Sequence, residues 1–178
     1  MRQSKILREF DPVRGVSVAA LAYDYPSGFE IPEHAHGSDQ LIYATRGVMQ
    51  VSSGHSMWLI PPQFALWIPA RTFHRIRMPA AVSMRTLYFR PGLVSRRSPG
   101  NSVLYVTPLL REMVLDAVRL GKLRTRNHHE CALRDLITLH LINASSAPTF
   151  VTMPSDPRAT MMAEAVVNNP AQATTAPE

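Results

Sequence analysis

Up to about residue 90, the chain alternates short runs of β-branched and aromatic residues with proline and glycine breaks. The first predicted strand is Val16–Ala20, ended by the turn Tyr25-Pro26-Ser27-Gly28. Gln40–Thr45 and Val48–Val51 follow, separated by a turn at Gly47, and then Trp58–Ile60, Phe64–Ile68, His74–Met78 and Val82–Phe89. Strands this short, with turn signals roughly every eight to twelve residues, predict a sandwich or barrel. Residues 90–101 read as a loop leaving it.

The period then changes. Thr107-Pro108 sets an N-cap and first helical turn, and Leu110, Met113, Val114 and Ala117 recur at helical spacing until Gly121. Asn127 with Glu130 forms a capping-box variant for a second helix, along which Leu133, Leu136, Ile137, His140 and Leu141 make one apolar stripe. The two helices are expected to form a hairpin whose stripes bury against the barrel, each other or a second copy of the chain. Those five stripe residues are the candidate dimer interface. A polar linker follows, then a third helix from Asp156-Pro157 through Met161, Met162, Ala165 and Val166, stopped by Asn169-Pro170. The expected organisation is a barrel over 1–101, a dimerising hairpin over 102–146, and a linker, short helix and disordered end over 147–178.

Composition narrows the class. With 178 residues, 46% hydrophobic and 18% charged, the chain can bury a core of its own, which excludes collagen, coiled-coil and low-complexity architectures. One cysteine, Cys131, excludes an internal disulfide and a cysteine-rich zinc module. The apolar run Val16–Ala22 is too short to cross a bilayer and follows Glu9 and Asp11, so a cytoplasmic protein without a membrane partner is expected. The net charge is +6, and no acid lies between Asp39 and Glu112 although Arg46, Arg71, Arg75, Arg77, Arg85, Arg90, Arg96, Arg97 and Arg111 do. An anionic partner and a solvated basic face on alternating strands both fit that layout. No interleaving of aromatic and basic residues marks a nucleic-acid stacking platform.

The strongest chemical constellation runs from Gly28 to Gly47. His34 and His36 are two apart, so on an extended strand their rings project to one face, and Gln40 keeps that parity. His74 supplies a third imidazole from a later strand. Three neutral imidazoles inside a barrel make a divalent-metal site, with packing of an unmetallated barrel as the alternative. Gln40 offers a neutral carbonyl oxygen where a glutamate would add charge, so the set favours zinc, nickel, cobalt or copper; it also fits a role fixing an imidazole tautomer. His55, His128 and His129 are expected at the surface. Tyr43, Trp58 and Trp67 are candidates to line a ligand pocket, with core packing as the other role. The only acids near the site, Asp24, Glu30, Glu33 and Asp39, lie on approach turns, which leaves little acid–base machinery for an enzyme.

Gly28, His34, His36, Gln40 and Gly47 resemble the first cupin motif, with glutamine in the usual glutamate position. Pro69, Arg71 and His74 resemble the second, with Arg71 where the motif has glycine, so Arg71 must adopt backbone angles that glycine normally supplies. The wider run QLIYATRGVMQV, WLIPPQFALWIPARTFHRIRM and VSMRTLYFRP resembles the N-terminal sensor and dimerisation domain of AraC-type transcription regulators. The resemblance implies a mainly β cupin jelly-roll barrel, then a two-helix hairpin forming a homodimer and a short third helix that begins a DNA-binding domain. It implies a small-molecule or metal effector and a non-enzymatic role in transcription regulation. The family's two helix-turn-helix units do not follow in this sequence, so DNA contact is expected only through a C-terminal domain missing here. A small cupin metalloenzyme of the dioxygenase or isomerase class, using the three histidines, is the alternative, and a metal-free dimerisation fragment is a third.

Overall fold

Thirteen strands and two helices make up residues 5–7, 11–12, 14–94, 100–147 and 151–152, which are the ones described by the computed structural model. β1 (Lys5–Leu7), β3 (Glu30–His36), β8 (His74–Arg77), β5 (Met49–Ser53), β6 (Ser56–Ile60) and β13 (Val151–Thr152) form, in that order, a six-stranded sheet. The other sheet has seven strands: β11 (Lys122–Arg124), β2 (Val16–Tyr25), β9 (Val82–Phe89), β4 (Asp39–Arg46), β7 (Phe64–Ile68), β10 (Ser102–Tyr105) and β12 (Ser146–Ala147). From β1 to β9, strands adjacent in sequence lie in opposite sheets except for the β5–β6 pair, as in a jelly roll. This is the mainly β, cupin-type architecture expected.

Alternation along the central strands creates two cores. Ile42, Ala44, Leu66, Ile68, Val82 and Met84 point between the sheets, where they meet Met49, Val51, Trp58, Ile60, Ile76 and Met78. The opposite parity, Leu41, Tyr43, Ala65, Trp67, Leu87 and Phe89, points outward onto the helices. The turn between β4 and β5 needs Gly47: its φ is +82°, and a Cβ there would lie 2.3 Å from the Ala81 carbonyl oxygen.

α1 (Pro108–Leu120) forms as its sequence predicts. Thr107 Oγ1 accepts from the Leu110 N–H, Pro108 opens the first turn, and the Gly121 N–H closes the end on Ala117. Its buried residues are Leu110, Met113, Val114 and Ala117, the expected stripe. α2 (His128–Asn143) is capped by Asn127, whose Oδ1 accepts from the Glu130 N–H. Glu130 does not complete the reciprocal box. Its carboxylate turns away, buried, to accept from the Arg124 N–H and guanidinium.

Strand pairing revises two expected boundaries and ties down the helices, and burial revises the dimer stripe. β10 adds to β7, so the sheet continues past the expected barrel boundary at 101. The two helices pack together as expected, and β11 between them adds to the β2 edge and ties the connection to the sheet. Residue 146, expected at the end of the hairpin, and residues 147 and 151–152, expected as linker, form strands β12 and β13 on β10 and β6. In each case a segment too short to carry its own periodicity is recruited by an open sheet edge. Finally, Leu133, Ile137 and Leu141 are buried in the chain's own core, so the expected five-residue dimer stripe is split; Leu136 is 49% exposed and His140 half-buried. The third helix expected near 156–166 lies outside the described residues.

Candidate metal and effector site

β3 brings the first two histidines to the inner face, and a bulge sets their register. Ile31 pairs with Ile76 and His34 with His74, so β3 holds one residue more than β8 across that interval. The extra residue places His34 beside His74, with ring centroids 4.4 Å apart; His36 lies 5.3 Å from His74 and 6.0 Å from His34. One nitrogen from each ring falls within 4.8 Å of the others, and all three side chains are buried.

Carboxylates brace the turns around this cluster. Asp11 accepts from the Gly37 N–H and the Ser38 hydroxyl, approaching so closely that a Cβ on residue 37 would lie 2.7 Å from its oxygen. Asp39 accepts from the Ala70 N–H and ties this turn to the one before β8. Arg71 adopts φ 63°, as its glycine-like position requires, and its N–H donates to the His36 carbonyl at 2.8 Å. Asp39 is thus a brace, while Asp24 lies out on β2, 3.4 Å from Arg85.

Proton bookkeeping orients the rings. Each Nδ1 faces a backbone carbonyl: Pro32 at 2.8 Å for His34, Ser38 at 2.8 Å for His36 and Thr72 at 3.0 Å for His74. A carbonyl only accepts, so these Nδ1 atoms carry the protons, and Nε2 is the lone-pair nitrogen. His74 Nε2 is buried without a hydrogen-bond partner. His36 Nε2 lies 2.8 Å from Gln40 Oε1, while the Gln40 amide donates to Thr86 Oγ1, which donates to the Leu41 carbonyl. Two acceptors therefore face each other at His36 and Gln40 unless a proton or a shared cation joins them, or the Gln40 amide turns over to give its NH2 to His36 and its oxygen to the Thr86 hydroxyl. Burial pushes the His74 imidazole down to about 3, helped by the neighbouring His34 and His36, and lowers His34 for the same first reason. Both rings are neutral at pH 7, the state that binds metal.

A cavity of about 270 Å³ opens onto this cluster, with His34, Gln40 and Tyr88 at its inner end. Tyr23, Tyr25 and Phe29 form one wall, their rings stacked in succession at 5.7 and 4.8 Å, and Ile31, Ile76 and Met84 line the rest with Pro32. Glu30 at the mouth lies 3.8 Å from Arg77. Burial raises the Tyr25 and Tyr88 hydroxyls above the ordinary phenol range, so both stay protonated.

The expected pocket residues are elsewhere. Tyr43 and Trp67 have the outward parity and pack under the helices, and Trp58 fills the inter-sheet core away from the cavity lining. Strand alternation carried the signal: Tyr43 is out of phase with Gln40, whereas Tyr88, paired with Gln40 on β9, is in phase. Tyr23 and Tyr25 were hidden because β2 runs five residues beyond its predicted end at Ala20. His55, His128 and His129 are exposed, as expected.

Comparison with known proteins agrees with this architecture. Residues 16–129 match the family described as AraC-like ligand binding domain. The HTH-type transcriptional regulator NimR of Escherichia coli K12 is 27% identical over 160 residues, covering 86% of this chain and 57% of NimR. The chain thus spans little more than half the length of that relative. Among solved structures, Vibrio cholerae ToxT bound to (E)-4-(8-methylnaphthalen-1-yl)but-3-enoic acid overlays 89% of this chain and 68% of its own, with TM-score 0.54 and 6% identity. A cupin superfamily protein of Desulfitobacterium hafniense overlays 41% of this chain and 67% of its own, with TM-score 0.40 and 18% identity. With its jelly roll, its sheet-backed helices and a family match over most of its length, the chain belongs to the AraC-like ligand-binding domain family.

Proposed function

We propose that this chain is the effector-sensing part of an AraC-type transcription regulator, and that its effector enters the cavity between β2, β3 and β9. The observation that carries this reading is the two-sided use of β4 and β9. Gln40, Met84 and Tyr88 line the cavity, and their alternate neighbours Leu41, Leu87 and Phe89 share one buried core with Leu110, Val114 and Ile137 of the helices. A ligand that favours one position of these strands also favours one seating of the helices, the differential contact that sensing requires. The ToxT structure, solved with a small aromatic acid, is a fold relative in which a ligand of this size is accommodated.

His34, His36 and His74, with Gln40 as fourth donor, would hold a divalent transition ion: three inward lone pairs, an unpartnered His74 Nε2 and the facing acceptors at Gln40 fit a cation. When bound, the ion supplies Lewis-acid attraction for donor atoms of an incoming molecule. Exposed Leu136 and Leu139 on α2 and Leu109 on α1 support a homodimer through the helices.

The metalloenzyme reading uses the same three imidazoles. It is disfavoured by the cavity lining, in which Glu30 is the one carboxylate and is ion-paired at the mouth. Titration of zinc, nickel, cobalt and copper ions into wild type, His36→Ala and His74→Ala by calorimetry tests the site. One ion per chain binds wild type, and both variants weaken it at least tenfold. Equal binding by all three proteins would end the metal assignment.

A further inference from the structure

The chemistry of the cavity selects the class of effector. The donor set is neutral throughout, so an ion held by His34, His36, His74 and Gln40 keeps its full double positive charge inside an apolar, partly enclosed space. Charge left uncompensated in such surroundings is costly, and the one lining carboxylate, Glu30, already has Arg77 as its partner. Glu30 lies 3.8 Å from the Arg77 guanidinium in a half-exposed pair, and Asp11 and Asp39 are committed to backbone and hydroxyl donors of the flanking turns. The remaining negative charge must arrive with the ligand. Nor does the lining include any lysine or arginine to receive an anion without the ion.

The walls define the rest of the molecule. Tyr23, Tyr25 and Phe29 stack within 30° of parallel, facing Ile76 and Met84, which leaves flat apolar surface for a planar ring. A volume of about 270 Å³ is just below the roughly 300–1,000 Å³ of drug-sized sites, so one or two rings suit it better than a long chain.

From these observations we infer that the effector is a small planar aromatic monoanion, its ring against Tyr23, Tyr25 and Phe29 and its anionic head directed at the three-histidine end. The inference rests on the metal-site reading above and deepens it. It makes anion binding metal-dependent and neutral-ligand binding metal-independent.

Cobalt(II) is the probe, because its visible absorption reports changes in its ligands. Wild-type protein is loaded with cobalt(II), dialysed, and titrated with 2-naphthoate, 2-naphthylmethanol or acetate; metal-free protein is titrated in parallel by calorimetry. The expected result is a cobalt band shift with 2-naphthoate and at least tenfold tighter naphthoate binding to loaded than to metal-free protein. 2-Naphthylmethanol should bind both forms alike without shifting the band, and Tyr25→Ala should weaken both naphthyl ligands while retaining cobalt. If cobalt binds but naphthoate leaves its bands unchanged, or binds metal-free protein equally well, the anionic assignment is overturned and the metal site stands. If acetate matches naphthoate in affinity, the aromatic assignment is overturned. If cobalt is lost on dialysis from wild type as readily as from His74→Ala, the metal reading fails and this inference fails with it.

Discussion

Among the described residues, Arg71 is the one non-glycine position with a positive φ, and it holds this angle while its N–H anchors the His36 carbonyl. A left-handed conformation costs an ordinary residue about 1–2 kcal/mol, part of which glycine returns as unfolded-chain entropy. Arg71→Gly should therefore stabilise the protein by about 0.5–1 kcal/mol, a rise in Tm of about 1–4 °C, seen by calorimetry. An unchanged or lower Tm would mean that the guanidinium holds the turn in place. The histidines make a second prediction. Folded His74 stays neutral down to about pH 3, whereas the unfolded imidazole takes up a proton below its ordinary value of 6.5. Above that value the group leaves stability unchanged. Below it, metal-free protein should lose about 1.4 kcal/mol per pH unit from His74, with His34 adding in the same direction. Urea midpoints at pH 7.5, 6 and 5 measure this, and a flat profile would contradict the burial of the pair. At this scale the sequence was informative about which side chains share a face: the i, i+2 spacing of His34 and His36, and the strain at Arg71. It was silent on the Nδ1 contacts, which depend on turns that only the fold closes.

At the scale of elements, local signals held where they were dense. Thr107, Pro108 and Gly121 bracket α1 because a cap, a preset φ and a terminator coincide within thirteen helical residues. They failed where tertiary pairing outweighed local preference. Glu130 illustrates this: three residues after Asn127 it reads as half of a reciprocal cap, yet β11 brings the Arg124 N–H and guanidinium to its carboxylate instead. Its side chain is 5% exposed, so Glu130→Ala leaves buried donors without their charged acceptor and should cost about 1.5–3 kcal/mol. Glu130→Gln should recover part of that loss in denaturant midpoint, whereas equal losses would imply that only side-chain volume matters. The bulge in β3 was equally invisible, since an extra residue between Ile31 and His34 becomes meaningful only against the register of β8.

For the molecule as a whole, the pattern of short strands followed by helical periodicity was enough for the fold class, because two-residue and 3.6-residue periods sort cleanly over these lengths. It could not resolve which aromatic residues face the cavity, since that depends on strand ends: ending β2 at Ala20 concealed Tyr23 and Tyr25. On the proposed dimer, Leu136→Asp combined with Leu139→Asp should convert dimer to monomer in native mass measurements. Because the two side chains are 49% and 55% exposed, the monomer's stability should shift by only about 0.5 kcal/mol. A wild-type monomer, or a dimer indifferent to both changes, would remove the helices from consideration.

One further consequence follows from the placement of β12 and β13. Residues 146–147 belong to the seven-stranded sheet and residues 151–152 to the six-stranded one, so two short strands close together in sequence are sewn one into each layer, like a stitch through two pieces of cloth. Sliding of the layers against each other therefore changes the separation of these two strands. Residue 152 sits in the layer that carries all three histidines.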